Sequence, residues 1–156
     1  RIHSFSSAYS NLALTQGEGA MVAMQDYLVD VVDRVTRGAF LDNVRVEIDP
    51  GSDNVIMPRE VAVAIGLFTN EALTNCAKYA FPDGRDGKVS IRFAGTGDKW
   101  SLAIEDDGVG TGVGNDESSG IGERLFAAFA QQAQAEYHVD ARPHGRALHL
   151  ASRTVN

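Results

Sequence analysis

The chain has 156 residues, 44% of them apolar and 22% charged, and a formal net charge of −7. That length and balance fit one globular domain, or a domain with a short appendage, and supply enough apolar residues for a real core. The negative charge disfavours nonspecific nucleic-acid binding, and the single cysteine, Cys76, excludes an internal disulfide and a cysteine-rich metal site.

In chain order, Arg1 to Thr15 reads as a helix, because Ile2, Phe5, Tyr9 and Leu12 recur at helical spacing. Gln16 to Gly19 breaks it. Ala20 to Arg37 reads as a second helix, with Met21, Met24, Leu28, Val31, Val32 and Val35 on one side and Gly38 as a stop. Val44 to Asp49 alternates apolar and charged residues and reads as a strand. After a loop with Pro50, Gly51 and Pro58 comes the longest helical stretch, Arg59 to Phe81.

Lys88 to Phe93 and Lys99 to Ile104 read as strands of a hairpin. A loop rich in glycine and acid follows, then a helix from Ile121 to Gln134. Glu136 to Ala141 and Ala147 to Ser152 form a closing hairpin around Arg142 to Gly145. This order predicts an α+β two-layer sandwich: a mixed, mainly antiparallel sheet with helices on one face, preceded by two helices. The longest apolar run, Val61 to Phe68, is too short to span a bilayer, and there is no signal-peptide pattern. A chain starting at Arg1 is expected to be a piece of a longer one, and the lone cysteine suits a cytoplasmic setting.

The long helix carries an unusual stripe. On a wheel of about 100° per residue, Glu71, Thr74, Asn75 and Lys78 share one arc. Ile65, Ala72, Leu73, Cys76, Ala77 and Ala80 lie opposite, small enough to press on a sheet. The stripe fits a solvated helix face. It also fits a ligand site, because asparagine is a mediocre helix former and Asn70 and Asn75 both sit in the helix interior. An amide oxygen is a hard ligand suited to Mg²⁺, and Lys78 can reach a phosphate as a point charge.

Downstream, Glu105-Asp106-Asp107-Gly108-Val109-Gly110 ends a strand, and Ser118-Ser119-Gly120-Ile121-Gly122 opens a helix. The first reads either as a tight turn or as a close approach of backbone to a ligand. The second reads either as an N-cap or as backbone N–H groups presented to an anion at a helix entrance. Neither a Walker P-loop nor a dinucleotide-binding glycine fingerprint fits any register of the chain.

Taken together and in order, TNEALTNCAKYAFPDG (69–84), EDDGVG (105–110) and SSGIGERL (118–125) resemble the asparagine box and two glycine boxes of the sensor histidine kinase catalytic domain. That domain has the Bergerat ATP-binding fold shared with DNA gyrase B and MutL. The resemblance covers roughly Val44 to Ser152. It is similar to the class related to the HWE kinases, beside them rather than among them, since Asn70 stands where their histidine would and their WxE pattern is absent.

The resemblance implies residues 1–40 as the helical remnant of a dimerisation region and connector, and residues 41–156 as the catalytic domain. It implies ATP and Mg²⁺ as cofactors, with Asn75 on the metal, Lys78 on phosphate and Tyr79 packed at the nucleotide. Glu71 matches the position that activates water in gyrase-type relatives. Asp106 would accept the adenine amino group, Gly108 and Gly110 would let the ring approach, and Thr111 to Ser119 would form a short lid. Gly120, Ile121 and Gly122 would line the phosphates. The implied partners are a response regulator, the acceptor helices of a homodimeric parent kinase and an upstream sensor domain, with no nucleic acid; the parent is soluble or membrane-attached.

Two departures stand out. The phosphoacceptor histidine box is absent, and His3, His138, His144 and His149 do not replace it, so this chain is expected to bind ATP without phosphorylating itself. Gly145-Arg146 stands where the family often has Gly-Thr, so that a contact is lost or Arg146 supplies another. Two rival readings remain: a nucleotide-free docking or phosphotransfer scaffold, and a serine kinase of the anti-sigma-factor type.

Overall fold

Period-two alternation of apolar residues builds the sheet. The computed structural model describes residues 20–40, 42–51, 55–96, 99–110 and 116–153. The elements in chain order are β1 (Met21–Ala23), α1 (Met24–Ala39), β2 (Val44–Asp49), β3 (Ile56–Pro58) and α2 (Arg59–Asn75). A π-helical turn (Cys76–Ala80) and a short 3₁₀ turn (Pro82–Gly84) follow. Then come β4 (Gly87–Thr96), β5 (Lys99–Asp106), α3 (Asp116–Gln132), β6 (Ala135–Ala141) and β7 (Arg146–Ser152).

Five strands form one sheet in the order β2-β4-β5-β7-β6, with β2 parallel to β4 and the remaining pairs antiparallel. The register aligns Ile48, Ile91, Ile104, Leu148 and Val139 in a row across it. A second row runs through Phe93, Leu102, Leu150 and Tyr137. These rows face the three helices and form one core with Leu28, Val31, Val35, Ile65, Phe68, Leu73 and Phe126. The opposite face carries Arg92, Ser101, His138 and His149. This is the expected α+β arrangement, with helices on one side of a mixed sheet.

Helix α2 is the central layer, packed against both α1 and α3. That position explains why it is buried around most of its circumference, including Thr69 and Asn70. The Thr69 hydroxyl is satisfied by donating to the Ile65 carbonyl at 2.8 Å. Gly66 lets α1 approach, because a Cβ there would run into the Tyr27 ring. Phe68 and Phe126, with ring centroids 4.9 Å apart, join α2 to α3. Such a pair adds about 0.5–1.5 kcal/mol beyond the area it buries.

Several element boundaries differ from expectation. The second helix starts at Met24, because Met21–Ala23 pairs with Ile56–Pro58 and turns Val22 and Met57 inward. The long helix stays α-helical only to Asn75 before it widens into the π turn. Strand β5 runs on to Asp106, so the first acids of the glycine-rich loop belong to the sheet. Helix α3 starts at Asp116 rather than Ile121. The expected helix over residues 1–15 and residues 111–115 of the expected lid lie outside the described residues. Among the described residues, no helix is long and apolar enough to cross a membrane.

Candidate functional site

Glu105, Asp106 and Asp107 are consecutive, and their backbone fixes a different fate for each. Side chains alternate along a strand, so Asp106 shares the inward face with Leu102 and Ile104. Its register neighbours are Val89 and Arg146. Glu105 lies on the opposite face, 3.9 Å from Arg142. Asp107 has left the strand, and its Oδ1 accepts the backbone N–H of Lys88 at 2.8 Å. Only Asp106 is brought to the helix side of the sheet.

There, Asp106 is held from two directions. Its Oδ1 accepts the N–H of Gly108 at 2.8 Å. Its Oδ2 accepts the thiol of Cys76 at 3.5 Å. Partial burial raises the carboxyl above its usual range, against the lowering influence of the Gly108 N–H, the Cys76 thiol and the Arg146 guanidinium. Burial, reinforced by the Asp106 charge, also pushes the Cys76 thiol far above its ordinary value, so it remains a protonated donor.

The π turn is what fits α2 to this loop. Ala80 ends the π turn, and its carbonyl, with no partner inside the helix, accepts the N–H of Val109 at 3.0 Å. Gly108 passes so close that a Cβ would come within 2.6 Å of the Ala80 Cβ. Gly110 takes φ +74°, and a Cβ there would lie 2.6 Å from the Arg142 and Pro143 carbonyl oxygens. The Gly145 N–H donates to the Gly108 carbonyl at 3.0 Å. The loop after β5 is therefore fastened to α2 on one side and to the β6–β7 turn on the other.

Asn75 is the last α-helical residue of α2, immediately before Cys76. Its Nδ2 lies 3.5 Å from where a Cβ at Gly122 would stand. The end of α2 thus meets an early turn of α3, and the structure brings Asn75, Cys76, Asp106, Gly108 and Gly122 together. Glu71 is half-buried one turn before Asn75. Lys78 is exposed, with Nζ 6.0 Å from the centroid of the half-buried Tyr79 ring. Gly120 and Ile121 lie inside α3 rather than at its entrance. The unpaired N–H groups of a helix belong to its first turn, which here is Asp116 to Ser119.

Sequence reasoning missed the part played by Cys76. The residue was placed on the packing side of the helix, where a buried thiol reads as a small apolar group. The signal was available: Asp106 continues the inward period of Leu102 and Ile104, so some group on α2 had to face it. The use of the Ala80 carbonyl was not legible, since it depends on a π turn that residue type does not announce.

Donor chemistry constrains what the site can take. Among the described residues, no group of three or more His, Cys, Asp or Glu is placed to hold a metal. The Asn75 side chain at the end of α2 carries an amide oxygen, a hard donor. That suits Mg²⁺, which keeps most of its waters and takes its remaining ligands from substrate phosphates. The ionised Asp106 carboxylate only accepts hydrogen bonds, so it favours a ligand that donates, such as an exocyclic amine.

Residues 28–156 match the family described as the histidine kinase-like ATPase domain. The chain is 34% identical over 106 residues to blue-light-activated histidine kinase 2 of Erythrobacter litoralis, a match covering 66% of this chain and 29% of that protein. It therefore spans less than a third of that curated relative. The fold is similar to a histidine kinase domain from a blue-light activated histidine kinase of Erythrobacter litoralis (TM-score 0.82, 24% identity, 97% of this chain and 76% of the other). It is also similar to a mycobacterial sensor histidine kinase (TM-score 0.62, 21% identity, 86% and 96%).

Proposed function

The chain belongs to the histidine kinase-like ATPase domain family, and on that premise we propose that it is the ATP-binding catalytic domain of a two-component sensor histidine kinase. Family membership implies ATP as the nucleotide. The finer reading is that the ATP γ-phosphoryl group goes to a histidine on acceptor helices of the parent, and from there to an aspartate of a response regulator. Those helices, that regulator and an upstream sensor domain are the proposed partners, and the domain is assigned to the cytoplasm.

The observation that carries this reading is the placement of Asp106. A half-buried carboxylate stands at the inner end of β5, oriented by Gly108 and Cys76, beside the end of α2. We assign it the amino group of the adenine ring. Gly108 and Gly110 are assigned the approach of the ring; their missing side chains let the loop that carries it lie against Ala80 and the β6–β7 turn. Asn75 is assigned a divalent cation on the phosphate side, and Lys78 and Tyr79 the outer edge of the nucleotide. Mg²⁺, when bound, supplies charge neutralisation for the phosphates. Glu71 is assigned the activation of the group that receives the phosphoryl. Gly122, with Gly120 and Ile121, is assigned to the phosphate side, a reading supported by the room that the missing Gly122 side chain leaves beside Asn75. Positioning and charge neutralisation are the main demands of phosphoryl transfer.

We move the division expected between residues 40 and 41 to a point before α1. Helix α1 shares the core of the sheet and so goes with the catalytic domain, while the preceding segment is assigned to the connector from the dimerisation region. A docking or phosphotransfer scaffold is the second reading. It draws on Arg146, whose charge acts on the carboxylate meant for the base. Calorimetric titration with Mg-ATP, on this chain and on Asp106→Asn, tests both. Binding that the substitution removes supports the kinase domain; no binding at millimolar ATP by the folded wild-type chain supports the scaffold.

A further inference from the structure

We propose that Cys76 is a positioning residue for nucleobase selection: its thiol fixes the plane of the Asp106 carboxylate and so sets how well the site tells adenine from purines lacking the 6-amino group. The inference rests on the ATP reading of the site. Its basis is the pair of contacts on that carboxylate, Gly108 N–H to Oδ1 at 2.8 Å and Cys76 S–H to Oδ2 at 3.5 Å.

A single contact is not enough to orient this side chain. The last torsion of aspartate is broad and roughly two-fold, so the carboxylate swings easily about its axis. The Gly108 N–H is local, two residues along the same loop, and restrains one oxygen. The second oxygen is restrained from outside the loop, by a side chain on the π turn of α2. Cys76 is 4% exposed, so water does not readily substitute for it. Each carboxylate oxygen has two lone-pair directions, and the thiol occupies one on Oδ2. The other is the one we assign to an incoming N–H, in a direction set by the thiol. A single donor on Oδ2, thiol or hydroxyl, takes one lone pair and leaves the second to the base.

The test is calorimetric titration of the whole chain and of Cys76→Ala and Cys76→Ser. The probes are Mg-ATP and the magnesium complex of purine riboside triphosphate, which lacks the 6-amino group. Thermal unfolding of each variant is measured alongside. Loss of one modest hydrogen bond to the carboxylate predicts about a fivefold weaker affinity of Cys76→Ala for ATP. The analogue changes less than twofold, so the ATP preference falls, while Cys76→Ser keeps that preference. A purely structural cysteine would give equal losses for both nucleotides, which overturns the proposal, as does unchanged ATP binding by Cys76→Ala. If the wild-type chain binds neither nucleotide, the ATP reading falls and this inference with it.

Discussion

Asp106 and Asp107 are neighbours with opposite duties: the Asp106 carboxylate accepts the N–H of Gly108, and the Asp107 carboxylate ties β5 to β4 through the N–H of Lys88, each at 2.8 Å. The pair offers an internal control. Asp106→Asn replaces one acceptor oxygen by a donor and is expected to weaken ATP binding by roughly tenfold to a hundredfold, the value of a hydrogen bond to a charged group. Asp107→Asn is expected to bind ATP within about twofold of wild type and to lose about 1 kcal/mol of stability. Titration calorimetry and thermal unfolding on both variants separate the roles. An equal effect on ATP affinity from the two substitutions would remove the special standing of Asp106.

Asn75 is expected to matter only when the cation is present. Asn75→Ala removes an amide oxygen at the end of α2 and leaves the core untouched, since the residue is only half-buried. The measurement is ATP affinity with Mg²⁺ and with a chelator. Wild type should bind more tightly with the metal, and Asn75→Ala should lose most of that difference, at roughly tenfold. A variant that retains the full metal effect would send the cation elsewhere.

Glycine contacts give a steric prediction with its own comparison. Gly108→Ala forces a Cβ to within 2.6 Å of the Ala80 Cβ, and so breaks the Val109 contact to the Ala80 carbonyl. Overpacking of this kind costs about 1–3 kcal/mol. At Gly122 the nearest atom to a new Cβ is Asn75 Nδ2 at 3.5 Å, ordinary contact distance. Gly122→Ala should therefore unfold close to the wild-type temperature, while Gly108→Ala unfolds several degrees lower. Equal melting temperatures would mean that the loop yields at Gly108.

The sheet was legible in the sequence because alternation has a period that residue type alone reveals. The inward rows through Ile104 and Leu102 follow from it, and Asp106 falls in step with them. The helix–strand boundary at Met24 was not legible, because Met21, Val22 and Met24 suit a helix face as well as a short strand. Tertiary pairing with Ile56–Pro58 decided between them. The π turn was hidden for a similar reason: CAKYA extends a helical pattern smoothly, and its residue types do not announce the wider turn. In the candidate site, Asn75 and Asp106 were singled out by their motifs and the resemblance these carry. Cys76 was not, since a thiol looks apolar until the carboxylate beside it is placed.

The raised carboxyl of Asp106 makes a prediction about pH. Burial, the largest cause, outweighs the lowering influences of the Gly108 N–H, the Cys76 thiol and the Arg146 charge. The folded form therefore holds its proton to higher pH than the unfolded chain. Below the unfolded value both states are protonated and the group costs nothing. As pH rises from the unfolded value to the folded one, the folded state binds more protons, and stability falls with pH. Above the folded value the whole cost of the buried charge is present. Asp106→Asn has no such charge. Its melting temperature relative to wild type should therefore climb as pH rises above the ordinary carboxylate value and level off once the folded-state carboxyl has ionised. ATP affinity should move the other way, rising as Asp106 ionises and becomes a pure acceptor for the amino group. Thermal unfolding and calorimetry across acidic to neutral pH give both curves. A stability difference that does not change with pH would show that the Asp106 carboxyl is not raised by burial.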